Sequence, residues 1–182
     1  QWKLKNPEFE ICYFSDEDVH SFFKNHTPYY ELVLQMKNGV AKADFFRICY
    51  IQTFGGYWFD LDLEPINIDI PTFGSVHLFD CGYQNISYMF IGGSPKQPLF
   101  EEIVKQVAEN IKNQIQKKTK HVMEITGPRI IQSILFSKLN IQNKDGCFAG
   151  YEKPSIFLAN TPFEFLYKKQ ISNSHKTNIY QT

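Results

Sequence analysis

The stretch Ala43 to Pro65, ADFFRICYIQTFGGYWFDLDLEP, decides how the rest of the chain is read. Val40 to Phe54 is apolar along most of its length and stops at Gly55-Gly56, so it is expected to be a helix with a glycine at its end. Tyr57, Trp58 and Phe59 then open a buried strand. Beyond them Asp60, Asp62 and Glu64 alternate with Leu61, Leu63 and Pro65. A period of two puts the three acids on one face and the two leucines on the other. Pro65 ends the ladder because it has no N–H to give.

Two carboxylates aligned at a strand end suit a hard divalent cation. Mn²⁺ and Mg²⁺ take oxygen ligands, commonly one or two carboxylates completed by phosphate oxygens of the substrate. Asp60 and Asp62 would supply the protein's part of that shell, and a cation between them relieves their mutual repulsion. A bare D-x-D also reads as a solvated strand end, and the chain carries a second copy at Asp16-Glu17-Asp18. That copy follows Ser15 and precedes Val19, Phe22 and Phe23, which is the pattern of a capped helix start with acids in its positive first turn. No chemistry is assigned to it. What distinguishes Asp60 and Asp62 is the apolar strand and glycine pair before them, and Asp44 and Arg47 three apart on the preceding helix.

The chain has 182 residues, enough to bury a core as one domain, and 17 Phe with 10 Tyr supply large apolar area. Nineteen basic residues balance nineteen acidic ones, so there is no basic field to concentrate nucleic acid or an anionic membrane, and neither is expected as a partner. No apolar run approaches the roughly 20 residues that span a bilayer. Cys12, Cys49, Cys81 and Cys147 lack C-x-x-C spacing and read as reduced structural cysteines.

The order A-x-x-D-x-x-R, then apolar residues, then G-G-x-x-x-D-x-D resembles the sugar-binding DXD region of glycosyltransferase family 32, whose relatives include initiating mannosyltransferases, capsular-polysaccharide transferases and clostridial glucosylating toxins. Here it is Ala41, Asp44, Arg47, Gly55, Gly56, Asp60 and Asp62. Upstream, WKLKNPEFEICYFSD (Trp2 to Asp16) is similar to the family's W-x-x-x-N-P segment and the strand after it. Downstream, NISYMFIGGSPKQPLF (Asn85 to Phe100) and ITGP (Ile125 to Pro128) are similar to shorter family stretches. SHKTNIY (Ser174 to Tyr180) is similar to a terminal H-x-x-x-S-W but lacks the tryptophan. The family's opening I-P-K-x-I-H-x-x-W strand is not matched, so residues 1–182 are expected to form a single catalytic domain without that nucleotide-binding strand.

Strands are expected at Phe9–Phe14 and Tyr57–Leu63 and near Ser75–Phe79, Ser87–Gly92, Cys147–Ala149 and Phe163–Tyr167. Helices are expected at Asp16–His26, Val40–Phe54, Pro98 to about Lys118 and Pro128–Lys138. Leu99, Ile103, Val107, Ile111 and Ile115 recur every four residues and form the apolar stripe of the long helix. The alternation argues for an α/β sandwich around a mostly parallel mixed sheet, with ligands at strand carboxyl ends. The resemblance implies the Rossmann-like GT-A fold of nucleotide-diphospho-sugar transferases.

It also implies an activity: metal-dependent transfer of a hexose from a nucleotide sugar to a glycan or a protein- or lipid-linked hydroxyl, with retention. UDP-hexose is the preferred donor and GDP-mannose the alternative. Asp60 and Asp62, with His175 as a further ligand, would hold Mn²⁺ or Mg²⁺. Asp60, Asp62 and Arg47 are the catalytic candidates, and Asp44, Arg47, Gly56, Tyr57 and Asn85 the substrate-binding ones. Asp44 and Arg47 read equally well as a helix ion pair. A sugar-binding relative without turnover, and a phosphatase of the haloacid-dehalogenase kind, are the competing readings. Against the phosphatase, Glu64 stands where that class needs Thr or Val. A glycan at the Asn85-Ile-Ser87 acceptor pattern would crowd the site, so a cytoplasmic setting is expected, with the Golgi lumen, reached through an anchor outside this chain, as the alternative.

Overall fold

In the computed structural model, residues 2–60, 63–65, 76–80, 86–117, 122–138, 164–167 and 171–173 are described. The helices and strands run in the order α1 (Trp2–Lys5), α2 (Asp16–His26), α3 (Tyr30–Leu34), α4 (Gly39–Phe54), β1 (Gly56–Phe59), β2 (Leu63–Pro65), β3 (Val76–Asp80), β4 (Ile86–Gly93), α5 (Pro98–Lys117), α6 (Val122–Ile125), α7 (Pro128–Lys138), β5 (Glu164–Tyr167) and β6 (Ile171–Asn173). No described helix is long and apolar enough to cross a membrane.

Helix α4 is the centre of the molecule. Asn38 caps its start by accepting from the Ala41 N–H at 3.0 Å. At its end the Gly55 N–H donates to Ile51 O at 2.8 Å with φ of 75°, a conformation that favours glycine. Phe45, Phe46, Ile48 and Ile51 are buried, and so are Asp44 and Arg47. A helix buried on so many sides needs neighbours all round it. It finds them in α2, α3, α5 and the sheet, which share one core with it. The α5 stripe is buried from Leu99 to Ile111, while Ile115 near the helix end is exposed.

Four strands form one sheet in the order β1-β4-β3-β5, and β2 pairs with β6 apart from it. The expected mostly parallel sheet is not what the described strands form: β1·β4, β4·β3 and β2·β6 are antiparallel, and only β3·β5 is parallel. For β3 and β4 the reason is connection length. Five residues join β3 to β4, too few for a parallel crossover, whereas the chain between β4 and β5 includes α5, α6 and α7. Tyr57 faces Gly92 across β1 and β4, and a Cβ on Gly92 would run into the Tyr57 ring.

The expected strand Phe9–Phe14 takes no regular structure. Its side chains are held by rings instead, Phe9 against Tyr57 at 5.7 Å and Phe14 against Tyr50 at 4.8 Å. Trp2 stacks on Phe59 at 4.3 Å, and buried Asn6 donates its amide to Trp2 O, so the W-x-x-x-N segment anchors α1 beneath β1. The expected strand near Cys147–Ala149 lies outside the described residues.

Candidate functional site

At the end of β1 the chain brings three charged groups together. Arg47 Nη1 donates to Asp60 Oδ1 at 3.1 Å and to the Tyr88 carbonyl at 2.9 Å, and Nη2 stands 3.5 Å from Asp44 Oδ1. The Trp58 indole N–H also donates to Asp60 Oδ1, at 3.2 Å, and the Arg47 guanidinium lies over the Trp58 ring, 5.0 Å from its centroid. Thr126, from the turn between α6 and α7, donates its hydroxyl to Asp44 Oδ2 at 3.2 Å. The result is a row of polar groups, Thr126, Asp44, Arg47, Asp60 and Trp58, gathered from α4, the end of β1 and the α6–α7 turn.

The row is electrostatically uneven. Burial pushes the Asp44 carboxyl above its ordinary range, opposed by Arg47 and the Thr126 hydrogen bond and assisted by the negative charge of Asp60. The Asp44 and Arg47 side chains are each 10% exposed, and Asp60 is 34% exposed, so the row opens to solvent at its Asp60 end. Both Nη1 protons of Arg47 are committed to the protein. Its buried Nε and the buried Tyr88 hydroxyl have no hydrogen-bond partner among the described residues. Such groups are costly unless something pairs with them.

A cleft of about 280 Å³ adjoins the row. Trp58, Phe14 and Phe46 give it aromatic walls, Gly39 and Ala43 of α4 bring backbone close, and Asp16, His20, Lys37 and Lys42 supply polar groups. Trp58 belongs to both features, since its ring lines the cleft while its N–H holds Asp60. Asp16, read from sequence as only a helix-start acid, also faces this cleft.

Sequence reasoning selected Tyr57 and passed over Trp58. The structure places Tyr57 among Phe9, His77 and Phe90, in one cluster with Trp2 and Phe59. The signal was in the period of two: counting back from Asp60 reaches Trp58, so Tyr57 falls on the other face. Gly56 is exposed, with φ of 97° and open space where a Cβ would stand. Thr126 and Tyr88 were also missed, because single Thr and Tyr residues carry no spacing that links them to residues far away in the chain. Asp62, Asn85 and His175 lie outside the described residues.

Among the described residues no three His, Cys, Asp or Glu side chains cluster as a metal cage. The donor set still fits a hard cation. Such an ion needs only one or two carboxylates when phosphate completes its shell, and Asp60 is a carboxylate that stays partly exposed while Arg47 and Trp58 fix one of its oxygens.

Residues 1–71 match the family model described as the glycosyltransferase sugar-binding region containing the DXD motif. No curated protein matches the chain. Among solved structures, one described as "PaToxG Glycosyltransferase" aligns with a TM-score of 0.55 at 16% identity, covering 76% of this chain and 60% of that one. At that identity the likeness speaks for the fold, and it supports a GT-A-like one. The segment from Asp44 to Asp62, which decides the reading of the whole chain, thus lies within a match to the DXD-containing glycosyltransferase sugar-binding region, on a fold shared with a glycosyltransferase.

Proposed function

We propose that this chain is the catalytic part of a metal-dependent glycosyltransferase that moves a hexose from a nucleotide-diphospho-sugar to a hydroxyl acceptor, with retention. The observation that carries the reading is Arg47, buried between Asp44 and Asp60 beside the Trp58 cleft. The cleft suits a nucleoside: aromatic walls accept a flat base, and Lys37 and Lys42 face the phosphate charge. Asp44, together with the Arg47 Nε–H and Tyr88 O–H that have no partner among the described residues, offers an acceptor and two donors of the kind sugar hydroxyls satisfy.

Asp60 and Asp62 would hold Mn²⁺ or Mg²⁺, which when bound supplies Lewis-acid stabilisation of charge on the departing diphosphate. In the transfer the bond from the anomeric carbon to diphosphate breaks and a bond to the acceptor oxygen forms. The acceptor's proton leaves with the nucleoside diphosphate. Asp44 fixes the hexose, Arg47 keeps Asp44 and Asp60 apart and oriented, and Trp58 holds Asp60 while forming the wall of the nucleoside cleft. UDP-hexose is the preferred donor and GDP-mannose the alternative.

The test is a panel of nucleotide sugars incubated with the full chain, with and without Mn²⁺, scored for donor hydrolysis and donor binding. Metal-dependent release of nucleoside diphosphate from one donor supports the reading. Absence of both binding and hydrolysis across the panel, in a preparation with a cooperative melt, overturns it.

A further inference from the structure

We infer that Thr126 is a positioning residue of the sugar site, which fixes the plane of the Asp44 carboxylate through a buried side-chain hydrogen bond. The inference rests on the proposed function for its kinetic consequence, and on geometry alone for its structural one.

Thr126 is fully buried and lies 82 residues from Asp44 in sequence, so only the fold brings them together. Its hydroxyl has one proton and two acceptors in reach, Asp44 Oδ2 at 3.2 Å and Val122 O at 3.4 Å. Donation to an ionised carboxylate is the stronger bond. It leaves Oδ1 for Arg47, so the two oxygens of Asp44 are each given a separate partner and the carboxylate plane is set. Turned the other way, toward Val122 O, the hydroxyl presents lone pairs to Asp44, which fits only a protonated carboxyl.

The turn that carries Thr126 is itself held. The Thr126 N–H donates to Val122 O at 3.0 Å and the Ile130 N–H to Gly127 O at 3.2 Å. From α5, Asn110 donates its side-chain amide toward Glu124 O and Ile125 O, at 3.3 and 3.4 Å, and Arg129 pairs with Glu124 at 2.9 Å across the turn. A hydroxyl on so restrained a backbone holds its partner in place at little entropic cost on binding. The I-T-G-P segment thereby acquires a physical role, in which Pro128 starts α7, Gly127 closes the turn and Thr126 reaches across to α4.

The experiment compares Thr126→Val, which keeps the shape and removes the hydroxyl, with Thr126→Ser, which keeps the hydroxyl, in the full chain. Two measurements are made: Mn²⁺-dependent hydrolysis of UDP-glucose, and the titration of the Asp44 carboxyl carbon followed by NMR without any ligand, assigned with Asp44→Asn. Thr126→Val is expected to lower kcat/KM about tenfold and to move the Asp44 titration to higher pH, while Thr126→Ser stays within about twofold of wild type in kcat/KM and leaves the titration unmoved. An unmoved titration in Thr126→Val, or Thr126→Ser as impaired as Thr126→Val, overturns the inference. If Thr126→Val does not fold, Thr126→Cys takes its place under the same criteria. If wild type hydrolyses no UDP-glucose, the donor reading is what suffers, and the ligand-free titration still decides the role of Thr126.

Discussion

Two D-x-D motifs in this chain, alike in composition, do opposite things. At Asp16-Glu17-Asp18 the acids stand at the start of α2, where Ser15 N–H and Oγ–H both donate to Asp18 Oδ2 at 2.8 Å and the Asp18 N–H donates back to Ser15 Oγ at 3.2 Å. That reciprocal cap pulls the Asp18 carboxyl below its ordinary range, the backbone hydrogen bond being the larger cause. Asp60, by contrast, ends a strand and accepts from a buried arginine and an indole. Its neighbour Asp44 is pushed upward by burial. In the first motif Asp18 spends its hydrogen-bonding capacity on the cap of its own helix. The second collects side chains from distant elements, which is what a ligand site requires.

The comparison breaks most visibly at Arg47. Arg47→Ala strands a buried carboxylate and a half-buried one, and is expected to cost about 3 kcal/mol of stability or more, read by urea denaturation. Arg47→Lys keeps the charge but loses the planar fork, so donor turnover should fall while stability moves less. A loss under about 1 kcal/mol for Arg47→Ala would reduce Arg47 to an ordinary helix ion pair.

The next effect is catalytic. Asp60→Asn should lower Mn²⁺-dependent turnover about a hundredfold, equivalent to about 3 kcal/mol in the barrier, with the fold retained. Asp62→Asn is expected to do the same. Asp18→Asn should leave turnover alone, and if it does not, the two motifs are not as different as their geometry makes them.

Smaller effects sharpen the contrast. Ser15→Ala removes the α2 cap and should cost about 1 kcal/mol without touching chemistry. Asp16→Asn, on the same turn but facing the cleft, should change the donor KM a few-fold, which the sequence pattern alone did not lead one to expect.

The smallest effect is in pH dependence, and its sign differs between the motifs. Asp44 has a folded value raised above 3.8, so its contribution to stability is fully present below 3.8 and is lost as pH rises through the raised value. Asp18 has a folded value lowered below 3.8, so its contribution is present above 3.8 and is lost as pH falls through the lowered value. Thermal melts of wild type, Asp44→Asn and Asp18→Asn across that range should show the two differences from wild type running in opposite directions. Parallel slopes would remove the distinction.

Much of the fold was legible because its signals are local. The Ser15 cap, the Gly55 end of α4, the i,i+4 stripe of α5 and Pro128 at the start of α7 each lie within a few residues of what they determine. Pairing direction was not local. Alternating strands and helices pointed to a mostly parallel sheet, and a five-residue connection between β3 and β4 made that pair antiparallel. Phe9 to Phe14 had a strand's composition but gained ring contacts rather than a ladder, since strand character depends on a neighbour.

For the site, the sequence by itself put Asp44 beside Arg47, through a spacing of three on one turn of helix, and led one to expect Asp60 and Asp62 on one face, through a spacing of two. Only the tertiary structure decided that Arg47 reaches Asp60 as well as Asp44, that Trp58 rather than Tyr57 faces them, and that Thr126 closes the row from the far side. The physical reason is that backbone periodicity fixes directions within an element. Which element's side chains meet is settled by packing, and here by the burial of α4 among its neighbouring helices and the sheet.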